Sequence, residues 1–229
     1  LLLSQKIEGL NIPYLLVKDT KIALGQLAKA WRQQFNIPLI GITGSNGKTT
    51  VTQMVASILK AYAADTSWST KGNLNNDIGV PLTLLGLTAA HQCAVIEMGM
   101  NHPGEIAYLA NITQATVALV NNAQREHLEF MHTVENVARE NGSCISFLDS
   151  KGVAVFPADD KFTTLWRDLA AHCQALTFAI NAPADVYALE HIWQGQQWVV
   201  KAQTPKGICN FEIQLAGVHN VKNALAALS

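Results

Sequence analysis

The 229-residue chain is poor in charge, in paired cysteines and in unbroken apolar sequence, and each shortage excludes a class of protein. Charged residues make up only 14% and the formal net charge is −1. With no basic block, there is no electrostatic footing for nucleic acid or an anionic membrane surface. Cys93, Cys144, Cys173 and Cys209 stand far apart without a Cys-x-x-Cys pair. That spacing suggests neither a zinc site nor a disulfide framework, and reads as free thiols in a reducing cytoplasm. Leu1-Leu2-Leu3 lacks the cationic start, long apolar core and cleavage site of a secretory signal. The uncharged stretch from Gly79 to Ile96 is long enough for a membrane span, but Pro81, Thr83, Thr88, His91 and Gln92 interrupt it. No internal repeat or low-complexity segment is present. The expectation is a cytoplasmic monomer with no membrane insertion and no nucleic-acid partner.

What is present is apolar sequence, 49% of residues, enough for a substantial core in one large domain or one domain with an appendage. The first residue is not Met and Val221–Ser229 reads as a helix cut off mid-course, so the chain is expected to be part of something longer. Ile12–Val17 reads as a strand, and Asp19 or Thr20 caps a helix reaching about Gln34 with Leu24, Leu27, Ala28 and Trp31 on its apolar stripe. Phe35-Asn36 is the natural junction between this leader and the main domain. From Ile37 on, strand-like and helix-like stretches alternate, which is the pattern of a parallel sheet wrapped by helices. A helix is expected over roughly Val134 to Leu148. Three strands within Val186–Glu190, Gln197–Ala202 and Ile208–Gln214, joined by turns, form a small antiparallel patch near the C-terminus. The fold class is therefore α/β, a mostly parallel sheet of phosphate-loop type with that patch.

The chain is arranged around Thr43-Gly44-Ser45-Asn46-Gly47-Lys48-Thr49-Thr50, between the apolar run Ile37–Ile42 and a helix opening at Val51. Strand, glycine loop, helix is an anion cradle: glycines let several N–H groups converge, and the helix N-terminus adds partial positive charge. Lys48 then reaches a terminal phosphate and the Thr49 hydroxyl suits Mg²⁺. The loop is a shortened one, because Ile42 occupies the place where the common phosphate loop has its first glycine.

In open parallel sheets, ligands bind beyond the carboxyl ends of the strands. Gly44–Thr49, Glu97, the Asn121-Asn122 end with His127 shortly after, and the loop Asn73–Asp77 all fall there. Glu97 at the end of an apolar strand suits a Mg²⁺ ligand or its partner, against the plainer reading of a solvated strand-end carboxylate. His127 is either a surface loop residue or a phosphate or metal contact. Asn73, Asn75 and Asn76 either bond their own backbone in turns or hydrogen-bond a polar substrate. Asn101–Glu105 is similarly open, as a turn before a helix or part of the site.

These residues carry a resemblance. Thr43–Thr50 resembles the phosphate loop of the Mur ligases, ATP-dependent amide-forming enzymes of peptidoglycan precursor synthesis, and of the related folylpolyglutamate synthases. Gly72–Pro81, Glu97–Ile106 and Gly217–Ala227 narrow the resemblance to the branch that joins D-alanyl-D-alanine to UDP-N-acetylmuramoyl-tripeptide. It covers Ile12 to the end of the chain. It implies ATP and Mg²⁺ as cofactors, those two molecules as partners, and a carboxylate activated as an acyl phosphate before the amine attacks, with release of ADP and phosphate. It implies that Lys48, Glu97 and His127 are catalytic and that Gly44, Ser45, Asn46, Gly47, Lys48, Thr49, Thr50, His219, Asn220 and Asn223 meet the nucleotide. Thr49 and Glu97 would hold one Mg²⁺ and His127 a second, and Asn73, Asn75 and Asn76 would face the substrate. Residues 1–35 would be the tail of a substrate-nucleotide domain with its linker and 36–229 the central ATP-binding domain, the C-terminal domain being absent. The alternatives are another ligase of the superfamily, such as a folylpolyglutamate synthase, or a nucleotide-binding module without turnover.

One departure stands out. The family usually carries a carbamylated lysine where Ala138-Arg139-Glu140-Asn141-Gly142-Ser143 places Asn141, and an amide forms no carbamate. The second metal position is therefore expected to be weaker or to use Glu140 or water, although one step along a helix turns a side chain by about 100°.

Overall fold

Short apolar strands separated by amphipathic helices bury both faces only by pairing side by side under helical layers. The computed structural model describes residues 1–229 and has this arrangement. Two dipeptide strands, β1 (Leu2–Leu3) and β2 (Leu15–Leu16), pair parallel at the start. Helix α1 (Thr20–Arg32) comes next, capped by Asp19, whose carboxylate accepts from the N–H groups of Lys21 and Ile22 at 2.8 and 3.0 Å. Then come β3 (Leu39–Thr43), α2 (Lys48–Ala63), β4 (Ser67–Ser69), α3 (Gly79–Leu85), β5 (Cys93–Glu97), α4 (Glu105–Thr113) and β6 (Val117–Val120). The second half runs α5 (Leu128–Met131), α6 (Val134–Gly142), β7 (Val153–Pro157), α7 (Thr163–Leu169) and β8 (Gln174–Ala179). It closes with β9 (Val186–Gln194), β10 (Gln197–Thr204), β11 (Gly207–Ile213) and α8 (Val218–Leu228).

Strands β3 to β11 form one nine-stranded sheet in the order β11-β10-β9-β8-β7-β6-β3-β5-β4. All pairs from β4 to β9 are parallel, and only β9-β10 and β10-β11 are antiparallel. The C-terminal antiparallel strands thus extend the main sheet, joined to it where Phe178 and Ala179 pair with Val186 and Tyr187. From β3 the chain passes to the edge at β4, returns to β5 beside β3, and crosses to β6 on the other side. That reversal makes the C-terminal end of β3 the switch point where open sheets form their crevices. The register sets Ile42 opposite Glu97 and Thr43 opposite Val120, bringing the ends of β5 and β6 level with the glycine loop.

Alternation along the strands separates two cores. On one face, Leu39, Ala94, Ile96, Ala118, Val120 and Phe156 pack with residues of α1, α3, α4, α6 and α7. On the other, Ile42, Val95, Leu119, Val155 and Phe178 meet Val51 and Val55 of α2 and Val221 and Leu225 of α8. The leader helix belongs to the first core through Ala28. Its buried Arg32 donates to the carbonyls of Thr113 and Gln114 at 3.2 and 3.3 Å, satisfying the end of α4, and to that of Ile37 at 3.3 Å. Burial lowers the Arg32 pKa from its ordinary value.

The helix expected over 134–148 ends at Gly142 and tightens into a 3₁₀ turn, Ser143–Phe147. Asn-Gly-Ser is weak helical sequence, and the glycine sits against Trp166, whose Cδ1 lies 2.7 Å from where a Cβ would be. The four cysteines are free, and burial pushes the Cys144 thiol up to about 12. No helix is long and apolar enough to cross a membrane.

Candidate active site

The glycine loop is shaped by what lies beneath it. Gly47 caps α2 with φ +76°, a left-handed conformation that favours glycine. A Cβ there would stand 2.7 Å from Asn223 Oδ1 and 2.8 Å from Asn121 Nδ2. Gly44, at φ +136°, also passes close to Asn121 and Asn122. The end of β6 therefore supports the loop from below. Asn121 Nδ2 donates to the Asn46 carbonyl at 2.8 Å and to Asn223 Oδ1 at 2.9 Å, and Asn223 Nδ2 donates to Asn220 Oδ1 at 3.1 Å. Asn122 accepts from the N–H of Ser45 through its carbonyl and from that of Asn46 through its side chain. Ser45 Oγ takes the N–H of Gln124 at 2.8 Å. With those two loop N–H groups engaged, the donors left for an anion include those opening α2, the N–H groups of a first helical turn that have no intrahelical partner.

Lys48 leans back over the loop. Its Nζ donates to the carbonyls of Gly44 at 2.6 Å and Ser45 at 3.2 Å, and lies 3.8 Å from Glu126 Oε2. At the next residue, Thr49 Oγ1 donates to Glu97 Oε1 at 3.1 Å, and that oxygen also accepts from Asn75 Nδ2 at 2.8 Å. Glu97 is 1% exposed, and its other oxygen, Oε2, is buried without a partner. A buried carboxylate oxygen left unpaired is costly. Beside a threonine hydroxyl it is the donor chemistry a hard, oxygen-seeking divalent cation takes, so the residues present fit Mg²⁺. Nowhere do three His, Cys, Asp or Glu side chains converge as a closed metal cage. The donor set is open, which suits an ion that keeps much of its water.

Next to this edge lies a cavity of about 230 Å³ lined mainly by polar groups: Lys48, Asn75, Asn76, Asp77, Asn101, Glu105 and His127, with Gly99, Met100 and Leu109. His127 enters it because the backbone turns at φ +46° before α5. Glu105 accepts from the N–H groups of Asn101 and His102 at 2.6 and 3.1 Å. Burial alone would raise the Glu105 pKa, but those two N–H bonds and the His102 ring outweigh it, and the group titrates below its ordinary value.

The asparagine loop divides its labour. Asn75 reaches Glu97; Asn76 lines the cavity while its Oδ1 accepts from Gly79 N at 2.8 Å at the start of α3; Asn73 is exposed outside the cavity. The adjacent Asp77 is tied to Lys21 of α1 at 2.9 Å. At α8, His219 is exposed, whereas Asn220 and Asn223 are buried in the amide chain behind the loop. Asn141 is fully buried and accepts from Thr43 Oγ1 at 2.7 Å, and its Nδ2 is unpartnered. Glu140 Oε1 instead accepts from Ile106 N at 2.9 Å, in the first turn of α4. Sequence reasoning missed Glu126 and the supporting role of Asn121. Position at a strand end was the available signal for Asn121, and none marked Glu126.

Known proteins resemble the chain over most of its length. Residues 42–229 match the Mur ligase middle domain. The UDP-N-acetylmuramoyl-tripeptide–D-alanyl-D-alanine ligase of Haemophilus influenzae is 40% identical over 99% of this chain and 50% of its own length. A crystal structure of MurF from Acinetobacter baumannii superimposes with a TM-score of 0.94 at 38% identity, over 99% of this chain and 49% of that one. MurF ligase from Thermotoga maritima in complex with ADP shares the fold, with a TM-score of 0.85 at 23% identity, over 99% of this chain and 52% of that one. The chain thus spans about half the length of the relatives it matches. Matched over residues 42–229 by the family's middle domain and 40% identical to a named ligase over 99% of its length, the chain belongs to the Mur ligase family through that middle domain.

Proposed function

We propose that the chain supplies the ATP-binding part of a ligase that joins D-alanyl-D-alanine to UDP-N-acetylmuramoyl-tripeptide. The observation that carries this is the meeting, at the end of β3, of a lysine-bearing phosphate loop with a buried glutamate oxygen that lacks a partner. The relatives' named activity supplies the acceptor and donor, and the Thermotoga protein that shares this fold is itself in complex with ADP.

In this reading, the N–H groups opening α2 hold the phosphates and Lys48 leaves the loop carbonyls to neutralise charge on the transferring group. Thr49 and Glu97 would hold Mg²⁺, which would supply charge neutralisation when bound. Asn75 fixes the Glu97 carboxylate alongside Thr49, on the same oxygen. The tripeptide carboxylate takes the terminal phosphoryl group as ADP leaves. The dipeptide amine then forms the amide bond, giving up a proton as phosphate departs. His127 and Asn76 line the cavity where these groups meet, and His127 is assigned a metal or phosphate contact there. His219 is the residue of the α8 set assigned to meet the nucleotide directly, with Asn220 and Asn223 holding the loop for it. Asn73 is assigned to an outer contact with the substrate, and Asn141 leaves the position near Thr43 without a carboxylate or carbamate.

Phosphate release measured with both UDP-N-acetylmuramoyl-tripeptide and D-alanyl-D-alanine present tests the assignment in the ligase that contains this chain. Release dependent on both substrates, and abolished by Lys48→Ala, is expected. Release with a folate and glutamate, or release unaffected by Lys48→Ala, refutes it.

A further inference from the structure

Glu126 has no place in the chemistry so far, and its environment is unusual. It lies between exposed Arg125 and half-buried His127 in the segment leaving β6, yet its side chain is folded inward and only 14% exposed. One oxygen, Oε1, is buried with no partner, and the other stands 3.8 Å from the ammonium of Lys48, beyond hydrogen-bond length. Lys48 is itself only 18% exposed and satisfied by the Gly44 and Ser45 carbonyls. A negative charge thus sits within reach of the one cation of the phosphate loop without the geometry that would make the pair a stabilising bridge.

We propose that Glu126 is a specificity-determining residue of the phosphate site, favouring nucleotide complexed with a divalent cation over bare nucleotide. The proposal rests on the phosphate-site reading above. A bare polyphosphate drawing Lys48 away from the loop meets the Glu126 carboxylate as a like charge in a partly dehydrated setting, where repulsion is weakly screened. A metal-complexed polyphosphate carries less negative charge and brings a cation for which an unpaired carboxylate oxygen is a favourable neighbour. Both effects act in the same direction. Glutamine keeps the shape of the side chain and removes the charge.

Isothermal titration of the 229-residue chain with ADP in EDTA, and with ADP in excess Mg²⁺, measures the preference. Glu126→Gln should tighten bare ADP roughly tenfold and alter MgADP by less than about twofold, so the preference for the complex narrows. Glu126→Ala should narrow it in the same sense, which guards against a defect peculiar to the glutamine variant, and thermal melting checks that both are folded. Equal changes for the two ligand forms, no change, or weaker binding of bare ADP would overturn the proposal. Lys48→Ala separates the two levels: if MgADP binds the wild-type chain and Lys48→Ala abolishes it, the phosphate site stands whatever Glu126 does. If wild-type binding is absent or indifferent to Lys48→Ala, the phosphate-site reading fails and the role of Glu126 falls with it.

Discussion

The side-chain amide of Asn121, at the end of β6, donates to Asn223 Oδ1 on α8 at 2.9 Å across 102 residues of sequence, directly beneath Gly47. This contact joins the phosphate loop to the last helix. Replacing Asn223 by Ala removes the acceptor and leaves the buried Asn121 amide with the Asn46 carbonyl alone. A loss of about 1–3 kcal/mol in urea-unfolding stability is expected. Nucleotide affinity should fall further than stability, since the loop loses its support.

Gly47→Ala tests the same relationship from above. The added methyl would fall 2.7 Å from Asn223 Oδ1 at a backbone φ of +76°. Left-handed strain alone costs about 1 kcal/mol, and the overlap forces the loop away from the amide pair. Titration should show nucleotide binding reduced by at least about tenfold in a protein that still melts cooperatively.

Glu97→Gln separates stability from function. Its Oε1 accepts from both Thr49 and Asn75, bonds that a glutamine oxygen reproduces, while the unpartnered Oε2 becomes a neutral amide. Relief of a buried, incompletely paired carboxylate should raise stability by about 1–2 kcal/mol in denaturant melts. The Mg²⁺ dependence of nucleotide binding should weaken by at least about tenfold, because the free position then carries an amide NH₂, which offers a cation no lone pair where the carboxylate offered an oxygen.

Acid sensitivity should include a contribution from Glu105, whose pKa is held below its ordinary value by the N–H groups of Asn101 and His102 and by the His102 ring. The unfolded chain takes up the proton first as pH falls, so this stabilisation is complete above the ordinary carboxylate value and lost on descending through the folded-state value. Glu105→Gln should lower the melting temperature near neutrality. The gap from wild type should close progressively in acid.

Motifs and strand ends made Lys48, Thr49 and Glu97 legible in the sequence, because chain position at a parallel strand's carboxyl end dictates which edge a residue joins. Glu126 was not legible: nothing in a loop between Arg125 and His127 signals that its side chain is only 14% exposed, 3.8 Å from Lys48. The Asn121–Asn223 contact was hidden for a different reason, since nothing local links residues on β6 and α8. Periodicity likewise placed the antiparallel patch near the C-terminus but not its attachment, which is two residues of parallel pairing between β8 and β9. Asn141 was visible as a departure, but its bond to Thr43 required the packing of α6 against the end of β3.

Binding of nucleotide phosphates between Lys48 and the Thr49–Glu97 pair is the claim on which every functional assignment here depends. Titration of MgADP into the wild-type chain and into Lys48→Ala tests it most directly. Saturable one-to-one binding is expected in the wild type, with a loss of about a hundredfold or more in the variant. Equal affinity in the two proteins would contradict it.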